Sequence, residues 1–313
     1  MRMVTAAEVE AALEEASLVE RLRAAFREGC VMPARVHHAI KVPAAPDATI
    51  LFMPAWQEGR HIGVKLVTVF PGNVAKGKPS VEGIYVLLDA SSGEVLALLD
   101  APMLTVKRTA CASALAASYL ARKDAARLLM VGTGALAPYL VRAHAAVRPI
   151  REVTIWGRHA EKAAALAERL ERPGFKVRPA GELAAAVAEA DVISCATMTI
   201  EPLIEGRWLK PGQHLDLVGG YTPAMREADD EAVRRARVFV DTRAGATREP
   251  GDIVQPLKNG TLTEAGIMGD LYELSRGERQ GRRSESEITF FKSVGAALED
   301  LAAAELVLER VGA

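Results

Sequence analysis

Only three cysteines occur in the 313 residues, Cys30, Cys111 and Cys195, and no two form a Cys-x-x-Cys pair. Their number and scatter exclude a disulfide framework and fit a reducing compartment. An excess of charge of one sign is also lacking, since 39 Lys plus Arg stand against 40 Asp plus Glu, a net charge of -1. No positive field is left to hold nucleic acid or an anionic membrane, and a basic pair such as Arg282-Arg283 reads as solvated loop. No run approaches the ~20 apolar residues that span a bilayer. The opening stretch, MRMVTAAEVEAALEEASLVERLRAAF, lacks the basic start and apolar core of a secretory leader, so a cytoplasmic protein is expected. The six histidines, His37, His38, His61, His144, His159 and His214, show no ligand spacing, and no metal is expected. Internal repeats and low-complexity linkers are absent.

What the chain does have is apolar content arranged in two patterns. At 313 residues and 50% hydrophobic it can bury a core in each of two domains. From Arg127 to about Asp241, short apolar strands alternate with Ala-rich helices, the mark of a parallel sheet covered on both faces. Strands are expected at Leu128 to Val131, Val153 to Trp156, Lys176 to Arg178, Val192 to Ala196, His214 to Val218 and Val238 to Asp241. Helices are expected at Leu136 to Ala146, Ala160 to Arg172, Leu183 to Ala190 and Asp229 to Arg237. Residues 30 to 100 instead carry β-like runs such as HIGVKLVTVF separated by turn residues, which predicts a mostly antiparallel unit. The opening stretch reads as an acidic amphipathic helix with Val9, Leu13, Leu18, Leu22 and Phe26 on one face. Leu104 to Ala121 reads as a helix leading into the first parallel strand, and Thr289 to Val311 as a helix returning to the first domain. The expected chain is therefore α/β: a Rossmann-type doubly wound parallel sheet domain over 123–288, and an N-terminal α+β domain over 1–122 joined by the helix 289–313.

The run RLLMVGTGALAPYL sets Gly132, Gly134 and Ala137 as G-x-G-x-x-A directly between a strand and a helix. Gly132 permits the tight turn, Gly134 lets the backbone approach a pyrophosphate, and Ala137 allows close helix packing. Thr133, Ala135 and Leu136 complete the turn, where the helix N-terminus offers amide donors to phosphates. The alternative is a tight structural turn without a ligand. The next strand ends at Trp156, and Gly157-Arg158 follow where an NAD-specific site usually places an acidic residue for the ribose diol. A guanidinium there, with no carboxylate, tilts the expectation to NADPH, with NADH the second choice; in the bland reading Arg158 only solvates the loop. Thr197, at the end of the fourth strand, stands beside the cofactor in such a sheet, whereas Cys195 has no neighbouring base and reads as packing.

Four polar residues stand out in the N-terminal domain: Arg35, Lys65, Ser80 and Arg108. Lys65 sits in GVKLVTVF, where a buried ammonium is unfavourable unless an anion meets it. Arg108, in KRTACASALAA, has planar donors suited to a carboxylate. For either residue an internal salt bridge is an equal alternative.

Pro33-Ala34-Arg35, Met53-Pro54-Ala55, KLVTVFPGN with Lys65 and Asn73, Gly83 through Asp89, LTVKRTACASALAA with Arg108, the GTGALA turn and the late FFKSVGAALED together resemble the ornithine cyclodeaminase and mu-crystallin family over nearly the whole chain. The resemblance implies a homodimer whose N-terminal domains, which bind substrate, pair through their sheets. It also implies that Arg35, Lys65 and Arg108 bind the carboxylate of an amino or imino acid with Ser80 near them, and that Ser293 with Gly295 approaches the nicotinamide.

One strand end departs from the cyclodeaminase pattern. Cyclodeaminases and alanine dehydrogenases of the family carry an aspartate after the Gly-Gly or Gly-Ala, to move protons at an amine centre. This chain reads LVGGYTPAMREAD, with Tyr221 in that place. A phenol, with an ordinary pKa of ~10, is a poor base near neutrality. Asp216, five residues earlier in the strand, points to the other face. Reduction of a cyclic imine needs only a hydride at C2, a protonated nitrogen and a clamped carboxylate, so the lost base matters little. The stretch also resembles the Δ1-pyrroline-2-carboxylate reductases of the family. The expected activity is NADPH-dependent reduction of Δ1-pyrroline-2-carboxylate to L-proline, extending to Δ1-piperideine-2-carboxylate, with Lys65, Arg108 and Tyr221 as catalytic candidates and the nicotinamide over Val218, Gly219 and Gly220. Tyr221 borders the ring or donates a hydrogen bond, or else only packs. The rivals are a cyclodeaminase or alanine dehydrogenase using another proton-transfer group, and a non-catalytic, crystallin-like binder of NADPH or a small ligand.

Overall fold

The computed structural model describes residues 1–172 and 174–312. The chain divides into two compact units, Met1–Arg108 with Ala297–Ala313, and Thr109–Ala296.

The first unit is built on a six-stranded sheet of β1 (Arg2–Val4), β2 (Val36–Ile40), β3 (Ala48–Trp56), β4 (His61–Val69), β5 (Val81–Asp89) and β6 (Val95–Asp100), in the order β1-β6-β5-β4-β3-β2. All pairings are antiparallel except β1 with β6. Alternation along β3 to β6 puts Met53, Ala55, Lys65, Tyr85, Leu87, Ala97 and Leu99 on a buried face. The helices of this unit are α1 (Ala6–Ala12), α2 (Glu15–Glu28) and, after the chain has passed through the whole second unit, α11 (Ala297–Val311), which packs on α1, α2, β3, β4 and β5. The opposite face is also apolar but only half-buried: Pro54 pairs Val64, Val64 pairs Val86 and Val86 pairs Leu98 in one continuous row.

The second unit holds β7 (Arg127–Val131), β8 (Glu152–Trp156), β9 (Lys176–Pro179), β10 (Val192–Cys195), β11 (His214–Leu217), β12 (Arg237–Val240), β13 (Ile267–Asp270) and β14 (Thr289–Lys292). They form one sheet in the order β13-β12-β14-β11-β10-β7-β8-β9, and every pairing is parallel. The strands are short apolar runs, as a sheet covered on both faces requires. The helices are α4 (Ala137–Val147), α5 (Ala160–Leu170), α6 (Leu183–Glu189), α7 (Asp230–Arg235), α8 (Arg243–Ala246), α9 (Gly251–Asn259) and α10 (Leu271–Arg276), while α3 (Ala101–Leu120) carries the chain from one unit into the next. From β7 the chain winds outward through β8 and β9, then returns to the other side through β10 and β11. The switch point lies between β7 and β10, where such sheets bind ligands at the carboxyl ends of their strands.

Three expectations change. The stretch from Thr289 is not one helix: TFFK is a fully buried strand, Gly295 turns the chain at φ +80°, and helix begins only at Ala297. That strand inserts between β11 and β12, and with β13 it raises six expected strands to eight. The opening stretch divides into a strand and two helices, because Thr5 and Glu14 each cap a new helix start with side-chain oxygens.

Candidate functional site

In the first unit, Lys65 projects from the middle of β4 onto the buried face, between Met53 of β3 and Tyr85 of β5. Its Nζ lies 2.8 Å from Asp300 Oδ2 and 3.4 Å from the Thr105 hydroxyl. Arg108, near the middle of α3, donates from Nε to Asp300 Oδ1 at 2.9 Å and from Nη1 to Glu299 Oε2 at 2.7 Å. Both carboxylates come from the first turn of α11 and are wholly buried, and both cations are at most 5% exposed. Each expected cation thus has an internal carboxylate, and Asp300 serves two at once. Burial opposes the Asp300 anion, yet Arg108 and Lys65 together hold its pKa below the ordinary value. Burial also opposes the Arg108 guanidinium, whose pKa Asp300 and Glu299 nevertheless raise. Lys65 fares differently. Burial, and then the Arg108 charge, pull its pKa down to about 8 against Asp300, with Arg35 adding to the pull. Half a shared carboxylate does not compensate this ammonium. Arg35 is half-buried just before β2 and acts on Lys65 through its charge. Ser80 lies in the turn before β5, with its carbonyl accepting from the Phe70 amide at 2.7 Å, and no hydrogen bond among the described residues joins its hydroxyl to these cations.

In the second unit, the carboxyl ends of five adjacent strands, β14-β11-β10-β7-β8, bring the expected cofactor residues to one sheet edge. After β7, Gly132 adopts φ +118°, and a Cβ there would lie 2.6 Å from the Ala196 carbonyl. Only glycine fits. At Gly134 a Cβ would meet nothing within 4 Å, so that backbone is open to approach. Thr133, Gly134, Ala135 and Leu136 lead into α4, whose N-terminus has no side-chain cap and leaves amides for an anion. Past β8, Gly157 packs against the Thr133 methyl, and Arg158 is exposed with no hydrogen bond or ion pair among the described residues.

The neighbouring ends are braced from beneath by carboxylates that sequence reasoning missed. Thr197 follows β10, and both its amide and hydroxyl donate to Glu227 Oε1, at 2.7 and 2.8 Å. Val218, Gly219 and Gly220 follow β11; the Val218 amide bonds the Cys195 carbonyl, and both glycine amides donate to Glu227 Oε2. The hydroxyl of Ser293, which follows β14, donates to Asp241 Oδ2, which also accepts from the Val294 and Gly295 amides at 2.6 and 2.7 Å. Tyr221 projects from the loop beyond Gly220 at 47% exposure, with no hydrogen bond to its hydroxyl among the described residues. Asp216 faces away from this edge, in the core, bonded by Ser113, Ser194 and His144 at 2.8, 2.6 and 3.1 Å. Cys195 is buried, which pushes its thiol pKa well up and leaves it inert. The described residues contain no cluster of three His, Cys, Asp or Glu suited to a metal, and no helix long and apolar enough to cross a membrane.

One signal for the missed residues was present. Lys292 lies in the apolar run TFFK much as Lys65 lies in GVKLV, and it is 0% exposed beside Glu227 and Asp252. An ammonium in an apolar strand calls for buried anions.

The Delta(1)-pyrroline-2-carboxylate reductase of Paracoccus denitrificans is 41% identical over 285 residues, covering 90% of each chain. The structure of Thermococcus litoralis Delta(1)-pyrroline-2-carboxylate reductase in complex with NADH and L-proline superposes with a TM-score of 0.93 at 32% identity, over 99% of this chain and 97% of that one. An archaeal alanine dehydrogenase dimer with bound NAD superposes with a TM-score of 0.91 at 28% identity, over 99% and 96%. The glycine turn and the buried cations lie within a match of the ornithine cyclodeaminase/mu-crystallin family model to residues 1–313, and the chain belongs to that family.

Proposed function

We propose that this protein is an NAD(P)H-dependent reductase of cyclic imino acids, converting Δ1-pyrroline-2-carboxylate to L-proline. The observation that carries the reading is the state of Lys65: a fully buried ammonium, 2.8 Å from a carboxylate, whose pKa is still depressed to about 8. A substrate carboxylate arriving near it supplies the negative charge that Asp300 only half provides. Arg35, Lys65 and Arg108 clamp the substrate through that carboxylate, with Ser80 beside them. A bound nicotinamide dinucleotide supplies the hydride that C2 of the imine accepts, while the ring nitrogen, protonated from water or a weak donor, becomes the secondary amine. Thr133, Gly134, Ala135 and Leu136 hold the pyrophosphate after the Gly132 turn. Thr197, Val218, Gly219, Gly220 and Ser293 seat the nicotinamide, with Tyr221 at its border. Positioning and fixed charge do most of the work. Exposed Arg158, beside Gly157 and with no carboxylate at the end of β8, supports NADPH over NADH, although the similar solved structures hold NADH and NAD. The half-buried row through Pro54, Val64, Val86 and Leu98 supports an isologous homodimer through this sheet face, and a relative of the same fold is a dimer. Three cysteines without a disulfide fit a cytoplasmic setting.

The test is dinucleotide oxidation with Δ1-pyrroline-2-carboxylate, with Δ1-piperideine-2-carboxylate, and with pyruvate plus ammonia, alongside ammonia release from ornithine. Turnover of the cyclic imines is expected. Turnover confined to pyruvate plus ammonia, or to ornithine, would overturn the reading.

A further inference from the structure

Beneath the sheet edge lies a group of three charges, Glu227, Asp252 and Lys292, each 0% exposed. The Glu227 carboxylate accepts four donors from two different strand ends: the Thr197 amide and hydroxyl on Oε1, and the Gly219 and Gly220 amides on Oε2 at 2.8 and 3.4 Å. Asp252, from α9, fixes Glu227 by accepting its amide and that of Ala228 at 2.7 and 3.2 Å. Lys292 Nζ stands 3.4 Å from Asp252 and 3.8 Å from Glu227, close enough to balance charge but too far to replace any of the four donors. The glycine pair completes the joint. A Cβ on Gly219 would lie 1.9 Å from the Thr197 carbonyl oxygen, and one on Gly220 would lie 3.0 Å from Asp252 Oδ2. The two ends therefore touch backbone to backbone, and one carboxylate sets their spacing.

We propose that Glu227 is the positioning residue of the nicotinamide seat, its ionised carboxylate locking Thr197 and Gly219-Gly220 into a single floor. The inference rests on the dinucleotide-dependent reading above. A carboxylate accepts at both oxygens, and each oxygen of Glu227 faces at least one backbone N–H, which can only donate, so protonation of either oxygen takes away acceptor capacity there and weakens its hold on that strand end. Burial is the leading influence that raises the Glu227 pKa, to about 7, with Lys292 opposing it and Asp252 adding to it. The Cys195 thiol also faces Glu227, and burial keeps it neutral. The floor therefore holds in alkaline solution and loosens as the pH falls through about 7.

Two variants test this, each read by direct titration of NADPH and NADH without substrate and by the pH profile of kcat. Glu227→Gln presents an amide NH2 to donors on one side, and should weaken dinucleotide binding or lower kcat by ~10-fold or more, while KM for the imine changes little. Its kcat profile should lack the acidic limb of the wild type. Lys292→Met leaves all four donors in place but removes the balancing charge, so the acidic limb should move to higher pH even if Glu227→Gln folds poorly. Wild-type dinucleotide affinity, kcat and acidic limb in a folded Glu227→Gln protein, or an unmoved limb in Lys292→Met, would overturn the proposal. Failure of the wild type to bind either dinucleotide would instead overturn the functional reading beneath it.

Discussion

Replacing Lys65 with methionine separates the two roles its surroundings allow. As a structural salt bridge, Lys65 holds Asp300 from 2.8 Å; as a substrate ligand, it meets an incoming carboxylate. A depression of its pKa from 10.5 to about 8 corresponds to roughly 3 kcal/mol of disfavoured charge. Methionine has nearly the same length and carries no charge, and Asp300 keeps its 2.9 Å bond from Arg108. The variant should therefore fold but unfold at a lower temperature than the wild type, because removing one partner of a buried pair leaves Asp300 and Glu299 to a single cation, Arg108, which limits the loss without abolishing it. Activity should fall separately, by an amount that the loss of stability does not set. A hydrogen bond to a charged group contributes ~1.5–3 kcal/mol, which at 1.36 kcal/mol per factor of ten is about a 10- to 160-fold loss of kcat/KM for the imine. In the wild type, kcat/KM should also fall above about pH 8 as the ammonium loses its proton, with about one-tenth of it charged one unit higher. The corresponding limb in kcat should lie at higher pH, since a bound carboxylate favours the charged form. Steady-state kinetics from pH 6 to 10 and calorimetry on both proteins decide the matter. Undiminished kcat/KM in Lys65→Met would reduce Lys65 to a salt bridge, and an alkaline limb that persists unchanged in the variant would belong to another group.

Three further outcomes follow from the geometry. Gly132→Ala, forced to φ +118° with its Cβ 2.6 Å from the Ala196 carbonyl, should weaken dinucleotide binding by ~10-fold or more, read by fluorescence titration; unchanged affinity would remove the turn from the binding site. Arg158→Asp should reverse cofactor choice, lowering kcat/KM with NADPH and sparing it with NADH; equal loss with both would show that Arg158 does not touch a 2′-phosphate. Val86→Glu, in the middle of the half-buried row, would set two copies of a carboxylate against each other in an isologous interface. Sedimentation should then show a monomer, and an intact dimer would place the interface elsewhere.

Local order explains how much of the fold is legible in the sequence. The strands β7, β8, β10 and β11 are four- or five-residue apolar runs, each followed by glycine or polar residues within a turn, and their parallel order follows from the helices between them. The strand β14 escapes because FFKSVGAALEDLAAAELVL is apolar on any period, and only Gly295, which takes φ +80°, marks where strand gives way to helix. The C-terminal limit of the second unit is hidden for the same reason, since β14 belongs to the eight-stranded sheet and α11 to the first unit.

The sites divide along the same line. The burial of Lys65 and Arg108 is legible, because a cation amid apolar neighbours has nowhere else to go; their shared anion is not, because Asp300 lies 235 residues beyond Lys65 and only the fold brings it there. The same reasoning applied to Lys292 would have called for a second buried anionic group, and the structure supplies it in Glu227 and Asp252. This changes the meaning of the glycine pair after β11. The sequence argues for a bare backbone so that a cofactor can approach, yet the bare sides of Gly219 and Gly220 face Thr197 and Asp252 within the protein. The glycines let two strand ends and one carboxylate close together, and a floor made rigid in that way can hold a nicotinamide without an aspartate at position 221. Pre-organisation of the seat and a clamp for the substrate carboxylate are what hydride transfer to an imine asks of the protein.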